Sequence, residues 1–178
     1  DCEIVIKNES VFELVEMAER GEVDCFISTS GNLPNGFSTR EIKEESIFLG
    51  VPKAWTINRQ LQENPGDYRA LENMELISME SNQPLQKGIR QFLKEYQISM
   101  SQHVTVNQVS TGIALAAMGT GAVFASEEAL KNSKYSGQLE IYPLPEAIFE
   151  RSIYIAFYEG RYISKMCQAF ITLLQKEE

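Results

Sequence analysis

The sequence predicts an α/β fold in which short apolar strands alternate with amphipathic helices, with parallel strand pairing expected. Three stretches support this. Over the first stretch, Cys2 to Lys7 (CEIVIK) alternate apolar and polar as a strand does, and Ser10 opens a helix with Glu13 at the capping-box spacing. Val23 to Ser28 (VDCFIS) then forms a short, largely apolar run that suits a strand covered on both faces. Strand, helix and strand in that order favour a parallel sheet with a right-handed crossover. The second stretch repeats the order: Leu76 to Met79 as a strand, a helix near Pro84 with Leu85, Ile89, Phe92 and Leu93 at helical spacing, and His103 to Val106 as a strand. The third is ALAAMGTGAVFAS, residues 114–126, where a helix hands over to a strand.

That third stretch contains a GTG triplet, which raises the question of a phosphate-cradling loop. A dinucleotide fingerprint needs a strand before its glycines and a helix after them. Here the order is reversed. Val109, Ile113, Ala116 and Ala117 share one helical face upstream, and Ala122 to Ala125 read as a buried strand downstream. Phe124 occupies the position where a third small residue would stand. Gly119 therefore reads as a left-handed residue just past a helix end, and Gly121 as a turn or close-packing residue. A helix C-terminus presents carbonyls, which repel an anion.

The remaining elements rest on local signals. Val11, Leu14, Val15 and Ala18 make the first helix's apolar stripe, and Gly21 ends it. The segment TSGNLPNGFSTRE is dense in turn formers and reads as a loop, with a strand resuming over Ser46 to Val51. Pro65-Gly66 marks a turn and Asp67 to Asn73 a short helix. Ser126 to Lys131 reads as another short helix, YSGQ as a break, and Leu139 to Tyr142 as a strand. Pro143 and Pro145 bracket a connector, and Ser152 to Tyr158 is a strand. Ile163, Met166, Cys167, Phe170 and Leu174 line a terminal helix. Neither an internal repeat nor a low-complexity tract is present.

Composition narrows the function. The 178 residues are 43% hydrophobic and 23% charged, as in ordinary globular chains, so a real core is expected. A net charge of −9 argues against this chain holding nucleic acid or an anionic membrane by itself, because both need a basic footprint. Neutral molecules, small ligands or proteins are the expected partners. Cys2, Cys25 and Cys167 lie far apart without metal-ligand spacing, which suits inert buried thiols and a reducing cytoplasm. No apolar run reaches the roughly 18 residues of a membrane span, and no leader opens the chain. Asp1 in place of Met suggests a fragment or a processed chain.

Reactive constellations are missing from the pattern. The single histidine, His103, starts a strand without a Ser, Cys or Asp partner at triad spacing, so a surface or satisfied role is expected. One His and three scattered Cys supply no zinc spacing. Glu44-Glu45 and Glu127-Glu128 read as solvated faces. Neither catalytic residues, metal ligands nor a cofactor site is therefore expected, and the chain does not read as an enzyme. What remains is a set of polar clusters where strands end: Ser28-Thr29-Ser30, Ser81-Asn82-Gln83 and Asn107-Gln108. In open α/β sheets ligands bind outside the carboxyl ends of the strands, and Ser81 to Gln83 also precede a helix whose free N–H groups can meet an acceptor. Each cluster could instead simply cap a helix. Phe124 and Ser126, at the end of the strand after GTG, complete the candidate set.

Three segments together resemble a known family. LVEMAERGEVDCFIS is similar to the helix, glycine and strand of LysR-type transcriptional regulators, GIALAAMGTGAVFASEEAL to their helix, glycine-rich turn and strand, and LPEAIFERSIYIAFYEGRYISKMCQAFITLL to their return strand and final helix. The resemblance implies an effector-binding domain with a two-lobed, type 2 periplasmic-binding-protein-like fold. Each lobe would be a mostly parallel sheet flanked by helices, with lobe I over residues 1–75 and 147–178 and lobe II over 76–146. It implies a small polar effector, carboxylate-bearing or with a similar acceptor, in a cleft between lobes. A homodimer or higher homo-oligomer is implied as well. The family's winged helix-turn-helix is absent from this chain, so DNA contact is expected only through a longer parent, and the effector domain's first strand and helix are expected to be missing. The competing reading on the same scaffold is a solute-binding protein of a transporter.

Overall fold

The computed structural model describes residues 3–79 and 83–174. The chain folds as two compact units, Asp1–Glu44 with Arg151–Glu178 and Glu45–Glu150. The limits expected for the lobes, 75/76 and 146/147, are not the limits of these units. The reason lies in packing: Ile57, Leu61, Tyr68 and Leu71 join the same core as Leu76, Phe92 and Phe124, so residues 57–71 belong with the strands and helices after residue 75.

In the first unit, residues 3–10 carry no regular structure, and Ile4, Val5 and Ile6 are 65%, 73% and 88% exposed. The strand expected over Cys2 to Lys7 is therefore not formed at residues 3–7, and Cys2 lies outside the described residues. Alternation confers β propensity, but a strand also needs a ladder partner, and this segment has none among the described residues. Helix α1 (Val11–Arg20) starts with the capping box: Ser10 Oγ accepts from Glu13 N at 3.3 Å, and Ser10 N donates to Glu13 Oε2 at 3.1 Å. It ends at Gly21, with Gly21 N on Ala18 O and Glu22 N on Met17 O.

Strand β1 (Phe26–Ser28) is shorter than the run from Val23 and pairs antiparallel with β7 (Glu150–Tyr158), Phe26 opposite Ala156 and Ile27 opposite Ile155. The parallel unit expected over residues 2–28 is thus not there; β1 has an antiparallel neighbour from the far end of the chain. Strand β2 (Phe37–Pro52) begins inside the stretch expected to be a loop. Helix α7 (Lys165–Leu174) closes the described chain. Side chains of β7 alternate between faces, so Ala156 packs with Leu14, Ala18 and Phe26 on the α1 side, while Ile155 and Phe157 pack with Cys167 and Ile171 on the α7 side.

The second unit is built on β3 (Glu75–Met79), which pairs in parallel with both β4 (Ser101–Val106) and β5 (Ala122–Ser126). The end of β2 pairs antiparallel with β5, Leu49 opposite Phe124, and with β6 (Leu139–Pro143), Leu49 opposite Tyr142. Helices α2 (Ile57–Glu63) and α3 (Gln83–Glu95), the 3-10 turn Tyr68–Leu71 and the short α6 (Glu146–Phe149) share a core with Leu49, Leu76 and Phe124. Helices α4 (Val109–Ala117) and α5 (Glu127–Asn132) cover the opposite face, where Ile113, Ala116 and Leu130 meet Ile77, Val123 and Ala125. Local sequence signals missed α2 and α6. Each is one or two turns long and α2 has no side-chain cap at Thr56, so they are held by non-local contacts: Ile57, Leu61 and Phe149 in the core, and the buried Asn58, whose Nδ2 donates to Pro52 O at 2.8 Å and whose Oδ1 accepts from Tyr142 Oη at 2.9 Å.

The GTG turn is structural. Gly119 sits at φ +90°, with its N–H on Ala116 O at 2.9 Å, and ends α4 as expected. At Gly121 a Cβ would lie 3.0 Å from Ile77 Cγ1 and 3.1 Å from Glu75 O, so this residue lets the chain pass close against β3.

Candidate functional site

The three parallel strands of the second unit end on one side, and each is succeeded by a helix. Strand β3 leads to α3, β4 to α4 and β5 to α5. The register aligns Met79 with Val106, so β3 and β4 end at the same level, where Asn107-Gln108 leave the sheet. Strand β5 lies on the other side of β3 and carries Ser126 at its end. This is the arrangement in which α/β sheets hold ligands: free N–H groups of helix N-termini and short polar loops converge beyond the strand ends.

Individual residues differ in how they are placed. Ser81 and Asn82 lie outside the described residues; Gln83 opens α3. Asn107 and Gln108 are exposed, and Gln108 holds the N-cap position of α4 without a side-chain capping bond. Ser126 is 8% exposed, and its Oγ accepts from Ala129 N at 3.3 Å, so its hydroxyl is used as the cap of α5. Phe124 is a core residue. It is 1% exposed and stacks on Phe149 at 5.6 Å with Phe92 edge-on at 5.9 Å, which corrects its place in the candidate set. Burial on an apolar face decides this, since in a strand covered on both sides no residue points to a ligand until the strand ends.

The Ser28–Ser30 cluster belongs to the first unit. Ser28 is 2% exposed; its Oγ donates to Ser30 O at 2.9 Å and accepts from Ser30 N at 3.0 Å. Ser30 Oγ in turn donates to Asn32 O and accepts from Asn32 N. These hydroxyls shape two successive turns, and Thr29 between them is half-buried.

Two residues were not picked out by sequence reasoning. Gln86, in the first turns of α3, donates through Nε2 to Met79 O at 2.7 Å and to Ser78 Oγ at 3.2 Å. Ser78 is 6% exposed and donates to Gln102 Oε1 at 3.2 Å. Together they tie the end of β3 to α3 on one side and β4 on the other. A glutamine on an amphipathic helix carries no signal of this; only the packing of α3 back over β3 makes it a partner.

The other candidates have quiet chemistry. His103 is exposed, with Nδ1 2.9 Å from Glu75 Oε2, a solvated pair of the kind expected. No group of three or more metal-ligating side chains occurs among the described residues. Cys25 and Cys167, scattered in sequence, come together in one cluster, where Cys25 packs against the buried Ile155, Phe157, Cys167 and Ile171, and burial pushes the Cys25 thiol up to about 12. No helix among the described residues is long and apolar enough to cross a membrane.

Fold and site together define an α/β domain whose parallel strands end together ahead of helix starts. The whole chain, residues 1–178, matches the LysR substrate binding domain. It belongs to that family, the effector-binding domains of LysR-type regulators, whose fold is periplasmic-binding-protein-like. The chain is 24% identical over 156 residues to a probable RuBisCO transcriptional regulator of Trichormus variabilis, covering 84% of this chain and 45% of the relative. It thus spans a little under half of that curated relative. Among solved structures, it resembles the regulatory domain of Synechocystis PCC6803 CcmR in complex with 2-PG, with a TM-score of 0.78 and 15% identity over 97% of this chain and 82% of that one. The effector-binding domain of QuiR in complex with shikimate gives a TM-score of 0.75 and 14% identity over 94% of this chain and 78% of the other. These relatives favour a regulator's domain over a transporter's solute-binding protein.

Proposed function

We propose that this chain senses a small polar effector at the carboxyl ends of β3, β4 and β5, and that in the longer parent this binding changes the grip on DNA. The observation that carries the reading is the aligned register of Met79 and Val106, which ends β3 and β4 at one level, each ahead of a helix start. Helix N-terminal N–H groups favour an acceptor such as a carboxylate, with hydroxyl and amide side chains completing its shell. The effectors named for CcmR and QuiR, 2-PG and shikimate, make rational first probes.

A thermal-shift screen starting from those two compounds, followed by calorimetry, tests the assignment. Ser81→Ala and Asn107→Ala should each weaken a hit by about 0.5–1.5 kcal/mol and leave the fold intact. A hit that binds both variants as tightly as the unaltered chain overturns it. Thr29→Ala reads the contribution of the 28–30 turn in the same assay.

We place the coupling to DNA in a longer parent. With a net charge of −9 the chain alone should show no salt-sensitive binding to duplex DNA, and submicromolar binding would contradict that division of labour. We propose a cytoplasmic, self-associating regulator. Sedimentation that shows only monomer at about tens of micromolar would count against pairing through this domain.

A further inference from the structure

In the first unit, the chain leaving β7 folds back over the end of α1. Arg161 makes the contact: its Nε donates to Glu19 O at 3.1 Å, so a cation meets a carbonyl left over at the helix C-terminus. The guanidinium lies directly over Gly21, where a Cβ would come within 2.2 Å of Nη1 and 2.5 Å of Cζ. Gly21 thus serves twice, for the left-handed turn at φ 76° and for room under the arginine. Both Nη groups are left without a partner among the described residues.

This arm borders a cavity of about 290 Å³. Ala18, Val23 and Ile163 give it apolar walls, Tyr158 and Tyr162 aromatic ones, and Asp24 a carboxylate. The Tyr158 ring is held in place, 5.2 Å from the Phe37 ring and so close to Gly160 that a Cβ there would lie 2.4 Å from its Cε1. Asp24 and Arg161 line the same space, yet they form no ion pair with each other. A cation and an anion that face one concave space without neutralising each other offer both charges to whatever enters it.

We propose that this cavity is a second ligand site, separate from the ends of β3, β4 and β5, which takes a free α-amino acid with an apolar or aromatic side chain. The carboxylate accepts from the two Nη groups of Arg161, and the bond from Nε to Glu19 O sets that fork in advance, so little side-chain freedom is lost on binding. The ammonium group meets Asp24, and the ligand's side chain lies against Ala18, Val23, Ile163 and Tyr158. Magnitudes favour the zwitterion. A single ion pair at an exposed position contributes little, whereas an amino acid makes two at once and adds burial of its side chain. A purely anionic ligand would also approach against the net charge of −9, and a zwitterion does not. The volume is at the small end for ligand sites, which suits one amino acid and leaves no room for a nucleotide.

The experiment titrates the isotope-labelled, unaltered chain with L-phenylalanine, L-leucine and L-methionine and follows its backbone amides by NMR. At least one of the three should move amides within residues 18–24 and 158–163 and saturate with a Kd at or below about 5 mM. The deaminated and decarboxylated analogues of the hit, 3-phenylpropionate and phenethylamine for phenylalanine, should each bind about tenfold more weakly or worse. Asp24→Asn keeps the shape of the site and the Arg161 contact with α1, and should weaken the amino acid by about tenfold; Arg161→Gln should do so at least as strongly. The proposal is overturned if none of the three amino acids moves these amides, if movement occurs only around Asn107 and Gln108, if a single-charge analogue binds as tightly as the amino acid, or if Asp24→Asn leaves the affinity unchanged. Because the two sites report through different amides, failure here leaves the strand-end reading standing.

Discussion

The two units spend their apolar residues differently. The second unit gathers Phe92, Phe124, Phe149 and Tyr68 into one core with Leu49, Leu71 and Leu76, and covers the other face of its sheet with Ile113, Ala116 and Leu130. Among the described residues the first has two smaller clusters of four buried residues each, on opposite faces of β7. Exposure shows the same contrast. Ile4, Val5, Ile6, Phe12, Ile27, Tyr162, Met166 and Leu173 stand open in the first unit, against Met118 in the second. A mixed sheet with helices on both faces is satisfied by its own residues, whereas three strands and two helices built from the two ends of the chain leave apolar surface over. The second unit is therefore expected to set the stability of the fold, and the first to open more easily.

The largest effect should come from Phe92→Ala. Phe92 is fully buried and meets Tyr68 edge-on at 5.0 Å and Phe149 at 5.5 Å, so truncation should cost about 3–5 kcal/mol in a urea titration. Leu14→Ala, at the thinner α1 cluster, should cost about 2–3 kcal/mol, the low end for a leucine because Leu14 is 9% exposed. Equal losses for the two variants would break the contrast between the units. Ser10→Ala removes the cap of α1 and should cost about 1 kcal/mol, seen as faster amide exchange over α1 before any change in the second unit.

The smallest effect at neutral pH, none at all, is expected from Cys25 ionisation. Its thiol is raised from 9.0 to about 12 in the folded chain, so both states are protonated below pH 9. Between pH 9 and 12 the unfolded chain gives up the proton and the folded one keeps it, so stability falls as pH rises through that window. Tyr68 in the second unit is also raised, by burial and then by Tyr96, and shares in the alkaline loss. Cys25→Ser separates the two: it should shallow the decline without removing it, and an unchanged pH profile would show that Cys25 does not contribute.

Much of the architecture is local in origin. The capping box at Ser10 and Glu13, the stripe of α3, the left-handed Gly119 and the order of β3, α3, β4, α4 and β5 come from spacing and turn chemistry, and the structure has them where the sequence puts them. The strand ends were legible to the same depth. A polar residue after an apolar run marks a strand end, which finds Asn107 and Gln108. It does not separate a residue facing out from one used as a cap, as Ser126 is, or a strand's last core residue, as Phe124 is.

What tertiary structure decided was partnership. The alternation of residues 2–7 announces a strand, yet residues 3–7 join no ladder among the described residues and stay irregular, while β1 finds its partner in β7 at the other end of the chain. Gln86 becomes the clasp of β3, and Cys25 joins the cluster of Cys167 and Ile171, because helices from distant segments pack onto strands. Propensity and capping act within a few residues and can be read along the chain. Ladder pairing and burial depend on which distant surfaces meet, and these contacts exist only once the chain has folded.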